Sequence, residues 1–167
     1  MAIVKVTYTK QKAGAKASIR YLAHRPGQDG AKITRTLFGS DGVMEKQHAY
    51  RMIDAAEKGT FFYRIAISPD PAKEDTHKDV HLWEITEQTM VRLAERLQHD
   101  VLYVAAEHTD HAPHRHVHVL ALVTGRLTPQ DFQALRETAT AAALLQRQER
   151  DAAAQHKRER EEAAWER

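Results

Sequence analysis

The stretch EHTDHAPHRHVHVLALV, from Glu107 to Val123, constrains this chain more than any other part of it. It places five of the 11 histidines (His108, His111, His114, His116, His118) within eleven consecutive positions and runs directly into an apolar segment. Along a strand, alternate side chains share a face and rise about 6.8 Å per pair, so His116 and His118 reach a common point. Val101–His108 reads as a second strand, and TDHAPHR between the two supplies the connection of a hairpin. If the hairpin pairs residues whose numbers sum to 224, His108 stands opposite His116, about 5 Å away on the same face. His108, His116 and His118 then form a cup of three imidazoles. Leu120 and Leu122 continue that face as core, while Val117, Val119 and Val123 bury the other. His114 lies about 13 Å from His118 on a straight strand, too far to share an ion whose ligand bonds are about 2.0 to 2.3 Å long. It is read as a rim residue or phosphate contact, and His111 as spare.

Three neutral imidazoles with open positions make a Lewis-acid site rather than a closed structural one. The chain has no cysteine, which excludes disulfides and thiolate zinc sites. Imidazoles alone do not select the ion, so Mn, Zn, Co, Ni and a weakly held Mg all fit. Asp110, two residues after His108, is placed to accept the outer N–H of one ligand and fix its tautomer. The competing interpretation is that histidines in a turn and at a strand end are solvated and inert. For one histidine that would prevail, but H-x7-H-x-H spacing on a hairpin argues for a site.

The rest of the chain supplies a scaffold. At 167 residues, with 42% hydrophobic and 29% charged residues, it has one domain's worth of chain and enough apolar side chains for a core. Ile3–Thr9 alternates as a strand, KQKAGAKAS reads as a loop, and Ser18–Arg25 as a short helix. KITRTLF is a second strand closed by GSDG, followed by a helix over Glu45–Lys58 that stops at Gly59. Thr60–Ser68 is a buried strand, and a helix runs from about Thr86 to His99, with Trp83 ahead of it as a core or staple residue. The expected fold is α+β: a central, largely antiparallel sheet of about five strands flanked by helices. Residues 1–127 form that domain. From Thr128, an N-cap followed by Pro129 and Asp131 starts a long, charged helix over 128–167, whose pattern resembles the start of a linker to a further region. No apolar stretch approaches about 20 residues and no signal-peptide core is visible, so no membrane span and a cytoplasmic location are expected.

Residues 1–40 carry eight Lys or Arg against the single acid Asp29, a local charge of +7 that suits phosphates. A solvated charged face would give the same count, so the patch needs a second feature beside it. HRHVHVLAL, preceded eight residues earlier by the His108 of an H-x-D, provides one. It resembles the histidine motif of the HUH relaxases, the nicking enzymes of conjugative and mobilisable plasmids and integrated elements. Relaxases carry their tyrosine ahead of that motif, on or near the first helix, whereas rolling-circle initiators and related transposases carry it after. All five tyrosines here (Tyr8, Tyr21, Tyr50, Tyr63, Tyr103) precede His116, and KASIRYLAHRPG offers Tyr21 inside the +7 segment. The similarity spans about residues 1–125. The additional His111 and His114 depart from the commonest spelling of the motif.

The resemblance implies a relaxase palm-like fold and site- and strand-specific nicking and rejoining of single-stranded DNA at a transfer origin. His108, His116 and His118 would hold a divalent ion, Mn or Mg foremost, and Tyr21 would form a 5′-phosphotyrosine adduct that conserves the phosphodiester energy. His24, three residues after Tyr21, is the alternative nucleophile, as in the histidine branch of these enzymes. Tyr8 and Tyr63 are expected in the core, Tyr50 on a helix, and Tyr103 on the strand face opposite His108. Lys10, Lys12, Lys16, Arg20, Arg25 and Arg115 would track the DNA backbone. Arg35 and Arg64, inside expected strands, read equally as structural. Accessory relaxosome proteins would be partners. A metal-dependent hydrolase using water, or a non-catalytic DNA-binding accessory domain, would share the histidines or the charge but form no adduct.

Overall fold

The computed structural model describes residues 1–110 and 114–167. Period-two segments form β1 (Ile3–Thr9), β4 (Phe61–Ser68), β5 (Leu102–His108) and β6 (His116–Val123), with two short strands, β2 (Leu37–Gly39) and β3 (Gly42–Met44). Amphipathic segments form α1 (Lys12–His24), α2 (Lys46–Ala55), α3 (Leu82–Leu97) and α4 (Pro129–Trp165). The strands make one sheet in the order β1-β4-β6-β5-β2-β3, and every neighbouring pair is antiparallel. The described residues therefore form an α+β fold of six strands and four helices, the last of them long.

Alternation divides the sheet into two buried faces. Odd-numbered residues of the central strands, among them Tyr63, Ile65, Val117, Val119 and Val123, pack with Leu82, Ile85 and Leu93 of α3 and Leu135, Ala139 and Ala143 of α4. Even-numbered residues, among them Phe62, Val104, Ala106 and Leu120, pack with Ala15, Ile19 and Leu22 of α1 and Ala49 and Ile53 of α2. The three histidines are even-numbered and belong to the second face. Antiparallel sheets accept such two-sided covering when each face finds its own helices.

The structure differs from the sequence expectation at four places. The first helix starts at Lys12, so most of the expected loop is helical. Gly14 is tolerated in its first turn because the chain passes close by: a Cβ there would meet Thr9 Oγ1 at 2.9 Å. The sheet has six strands rather than about five, because GSDG is a hairpin turn that pairs Gly39 with Gly42, the latter at φ +104°. The expected strand KITRTLF shrinks to its end, and only Phe38 pairs with β5, opposite Ala105. Finally, α3 begins at Leu82, so Trp83 lies inside its first turn, where it stacks on Phe38 with ring centres 4.2 Å apart.

The start of α4 follows the expected signals. The Thr128 side chain accepts from the Asp131 backbone N–H, the Asp131 carboxylate accepts from the Thr128 N–H, and Pro129 occupies the first helical position. Residues up to Arg147 are anchored to the core, with Arg147 Nη1 2.6 Å from Asp79 Oδ1, and from Asp151 onward every residue is exposed. Among the described residues no helix is long and apolar enough to cross a membrane.

Leu135 is fully buried between α3, α4 and the sheet. Leu135→Ala should destabilise the protein by about 2 to 5 kcal/mol through lost burial and a residual cavity. Thr128→Ala, which removes one cap, should cost about 1 kcal/mol. Urea unfolding of both variants checks this, and similar midpoints for the two would contradict the assigned packing of α4.

Candidate metal centre

The site is built by strand register. His108 and His116 are direct partners across β5 and β6, and His118 lies one pleat further in, flanked by Ala106 on β5 and Ala66 on β4. The two alanines keep the space around His118 open. Ring centres lie 4.5 Å apart for His108 and His118, 4.8 Å for His116 and His118, and 5.4 Å for His108 and His116. One ring nitrogen from each lies within 4.8 Å of the others, so the trio could hold a metal ion.

Hydrogen bonding points the same way. His108 is fully buried, yet among the described residues neither of its ring nitrogens has a hydrogen-bond partner, and His118 Nε2 is also buried without one. Buried polar atoms are ordinarily bonded, and orphaned nitrogens converging on one point are what a metal's donors look like without the ion. Burial, reinforced by the neighbouring imidazoles and by Arg25 and Arg35, pushes His108 down to about 3 and His118 down to about 4. Both are therefore neutral at ordinary pH, the form that ligates. His116 Nδ1 lies 3.1 Å from the His114 carbonyl oxygen. A proton on Nδ1 donated there puts the ring's lone pair on Nε2.

Helix α1 crosses this face and brings Tyr21 to the cup. The Tyr21 ring stacks on His108 at 5.9 Å between centres and meets His118 edge-on at 5.5 Å, and the residue remains 43% exposed. Arg25, one turn later, donates from Nη1 to Tyr21 Oη and sets its guanidinium 5.1 Å from the ring centre. The Arg25 carbonyl accepts from Arg35 Nη1 at 2.7 Å, and Arg35 Nη2 donates to both Asp110 oxygens at 3.2 and 3.0 Å.

Asp110 thus has a different use from the one expected. It pairs with Arg35, and the Asp110–Arg35–Arg25 chain connects it to the site. Burial opposes ionisation of its carboxyl, but hydrogen bonds from the backbone and from Arg35 hold it below the usual carboxylate range. Sequence spacing carried no signal for Arg35, because its partner lies 75 residues away.

Other candidates are dispersed. His24 sits at the end of α1 with Nε2 3.1 Å from Lys46 Nζ, beside α2 rather than in the cup. Lys12 Nζ donates to the Asp54 carbonyl at 2.7 Å and Lys16 Nζ pairs with the Asp54 carboxylate at 2.6 Å, so both tie α1 to α2. Lys10 lies over the Phe61 ring at 4.7 Å. Arg115 is spent on Asp75 and the Val80 carbonyl, each at 3.1 Å, which fastens the start of β6 to the segment before α3. Arg20 is exposed, and His114 borders a groove with His116, Lys5 and Arg25. His111 lies outside the described residues. Among the other tyrosines, Tyr63 is buried in the core and Tyr50 lies on α2, as expected. Tyr103 is 4% exposed on the far face, where burial raises its phenol to about 12. Tyr8, expected in the core, is 42% exposed on the edge strand, packed beside Phe61 and under Arg126.

No protein-family model, no curated protein and no solved structure matches this chain.

The depressed histidines set a pH dependence. The unfolded chain protonates them near 6.5, whereas the folded chain resists down to about 3 and 4. Their contribution is therefore complete above pH 6.5 and is lost as pH falls through that value toward 4. In EDTA, the melting temperature should drop between pH 7 and pH 5, and His108→Leu should flatten that drop. An unchanged slope in the variant would contradict the burial of a neutral His108.

Proposed function

We propose that this chain is a tyrosine relaxase domain of the HUH type, nicking and rejoining one strand of DNA at a transfer origin. The observation that carries this reading is the packing of an exposed tyrosine, held by an arginine at its hydroxyl, directly against three histidines able to hold a metal ion. A nucleophile and a Lewis-acid site at that separation suit an attack on phosphorus. A divalent ion held by His108, His116 and His118, Mn or Mg foremost, would supply charge neutralisation at a phosphate oxygen.

The chain's own residues account for the remaining steps. Tyr21 Oη loses its proton to solvent and attacks phosphorus; the bond from phosphorus to the 3′ oxygen breaks, and that oxygen takes a proton to become a free 3′ hydroxyl. The 5′ phosphate stays on Tyr21 as a diester, so the same hydroxyl can reverse the step and reseal the strand. Arg25 donates to the phenolic oxygen and stabilises charge there as the proton leaves. Stacking on His108 fixes the ring plane, and the Asp110–Arg35–Arg25 chain anchors the arginine. With His24 Nε2 engaged at Lys46 and set beside α2, Tyr21 stands as the nucleophile. The domain would act in the cytoplasm with accessory relaxosome proteins.

The test is incubation with Mn²⁺ and a pool of random single-stranded oligonucleotides, followed by a denaturing gel. A heat-stable protein–DNA adduct is expected for the unmodified chain and for His24→Ala. Tyr21→Phe should abolish it, and His116→Ala should slow its formation about 100-fold or more. DNA cleavage that survives Tyr21→Phe would make the site a hydrolase, and DNA retention without any cleavage would make it a binding module.

A further inference from the structure

On the histidine face, α1 packs over β5 and β6 and meets β1 where Gly14 approaches Thr9, beside a strip of β1 and β4. Lys5 and Thr7 of β1 are exposed there. Between α1 and this strip lies a cavity of about 550 Å³ that begins at Tyr21 and His118. Ala17, Leu22 and Leu120 wall it and Ala66 forms its floor.

Register fixes where its polar groups stand. One cross-strand row runs Lys5, Ala66, His118, and the next row on the same face runs Thr7, Arg64, Leu120. Lys5 therefore lies at the level of the metal centre and Arg64 one pleat beyond it. Arg64 is held in place, its Nε donating to Ser18 Oγ at 2.7 Å while that hydroxyl donates to the Gly14 carbonyl. Among the described residues, no hydrogen bond or ion pair engages the two terminal nitrogens of Arg64 or the ammonium of Lys5, and no acidic residue lines the cavity.

An occupant must have apolar faces, accept two parallel hydrogen bonds at one edge, and place negative charge at the mouth beside Lys5 and His118. A nucleotide meets all three requirements. A guanidinium with both terminal nitrogens free matches guanine O6 and N7, whereas adenine offers an acceptor beside a donor. Cytosine offers two adjacent acceptors but covers less of the apolar wall.

We infer that this cavity receives one unstacked guanine of the single strand, next to the phosphate attacked by Tyr21, with Arg64 reading the base and Lys5 holding its phosphate. This rests on the single-strand reading of the site above, and it assigns that strand a base preference.

The experiment is fluorescence anisotropy of the full chain in EDTA with a labelled dT12 carrying one central dG, dA or dC. The dG probe should bind about 10-fold more tightly than the dA probe. Arg64→Lys should reduce dG affinity to that of dA. Ala66→Leu, which fills the floor without touching charge, should do the same, with circular dichroism confirming that each variant folds. Equal affinity for dG, dA and dC, or a dG preference that survives both substitutions, would overturn the assignment. So would free dGMP binding as tightly as the dG oligonucleotide, which would make the cavity a free-nucleotide site. Because no metal is present, the outcome separates from the nicking test. A dG preference without any adduct in Mn²⁺ would remove the nicking and keep the pocket. Adducts whose flanking base is random would do the reverse.

Discussion

The antiparallel pairing of β5 with β6 sets everything at the candidate site. Side chains alternate with a period of two, so a slip of one residue would send His116 and His118 to the face covered by α3 and α4 and bring Val117 and Val119 to the cup. Each face has its own helices and its own core, and such a slip would strand apolar groups on one side and imidazoles in the other core. The hydrophobic pattern that builds the two layers therefore also holds the three imidazoles together. The geometry of the histidine cluster and the stability of the fold are the same constraint here, expressed at alternate residues of two strands.

Charge in the N-terminal quarter serves two purposes that composition cannot separate. Lys12, Lys16 and Arg35 are structural, closing α1 onto α2 and tying the loop after α1 to Asp110. Arg25 belongs to both sets, since its carbonyl anchors Arg35 while its guanidinium holds Tyr21. Among the described residues, Lys5, joined by Arg64 from β4, keeps donors unengaged beside the candidate site. For recognition of a polyanion, the informative quantity is thus how many cations remain unpaired near the candidate site, not the net charge of the segment.

The sequence made some of this legible for identifiable reasons. Residue numbering across a short hairpin gave the pairing of His108 with His116, and the order of tyrosine before histidines, with the family resemblance, pointed to Tyr21, which α1 sets beside the three imidazoles. Gly14 misled as a helix breaker, because the close passage of Thr9 that makes a glycine suitable there is a tertiary fact. The β2–β3 hairpin was hidden because three-residue strands carry almost no periodic signal. Ion pairs such as Arg35 with Asp110 and Arg115 with Asp75 span 75 and 40 residues, beyond any local pattern. The cavity beside Tyr21 depends on how far one helix overlaps a sheet edge, which no linear pattern encodes.

Helix α4 is 37 residues long, yet only its first half is fastened to the domain. The exposed stretch from Asp151 to Trp165 would be a marginal helix in isolation, because starting a helix is costly and short segments rarely repay it. Here the packed half, begun by the Thr128 cap and locked by Arg147, provides the nucleus, and the outer turns need only propagate. The result is a stiff arm of about 22 Å standing off the domain. Its order is borrowed from the core at the other end, so weakening the packing around Leu135 would soften the whole arm, including its exposed outer turns.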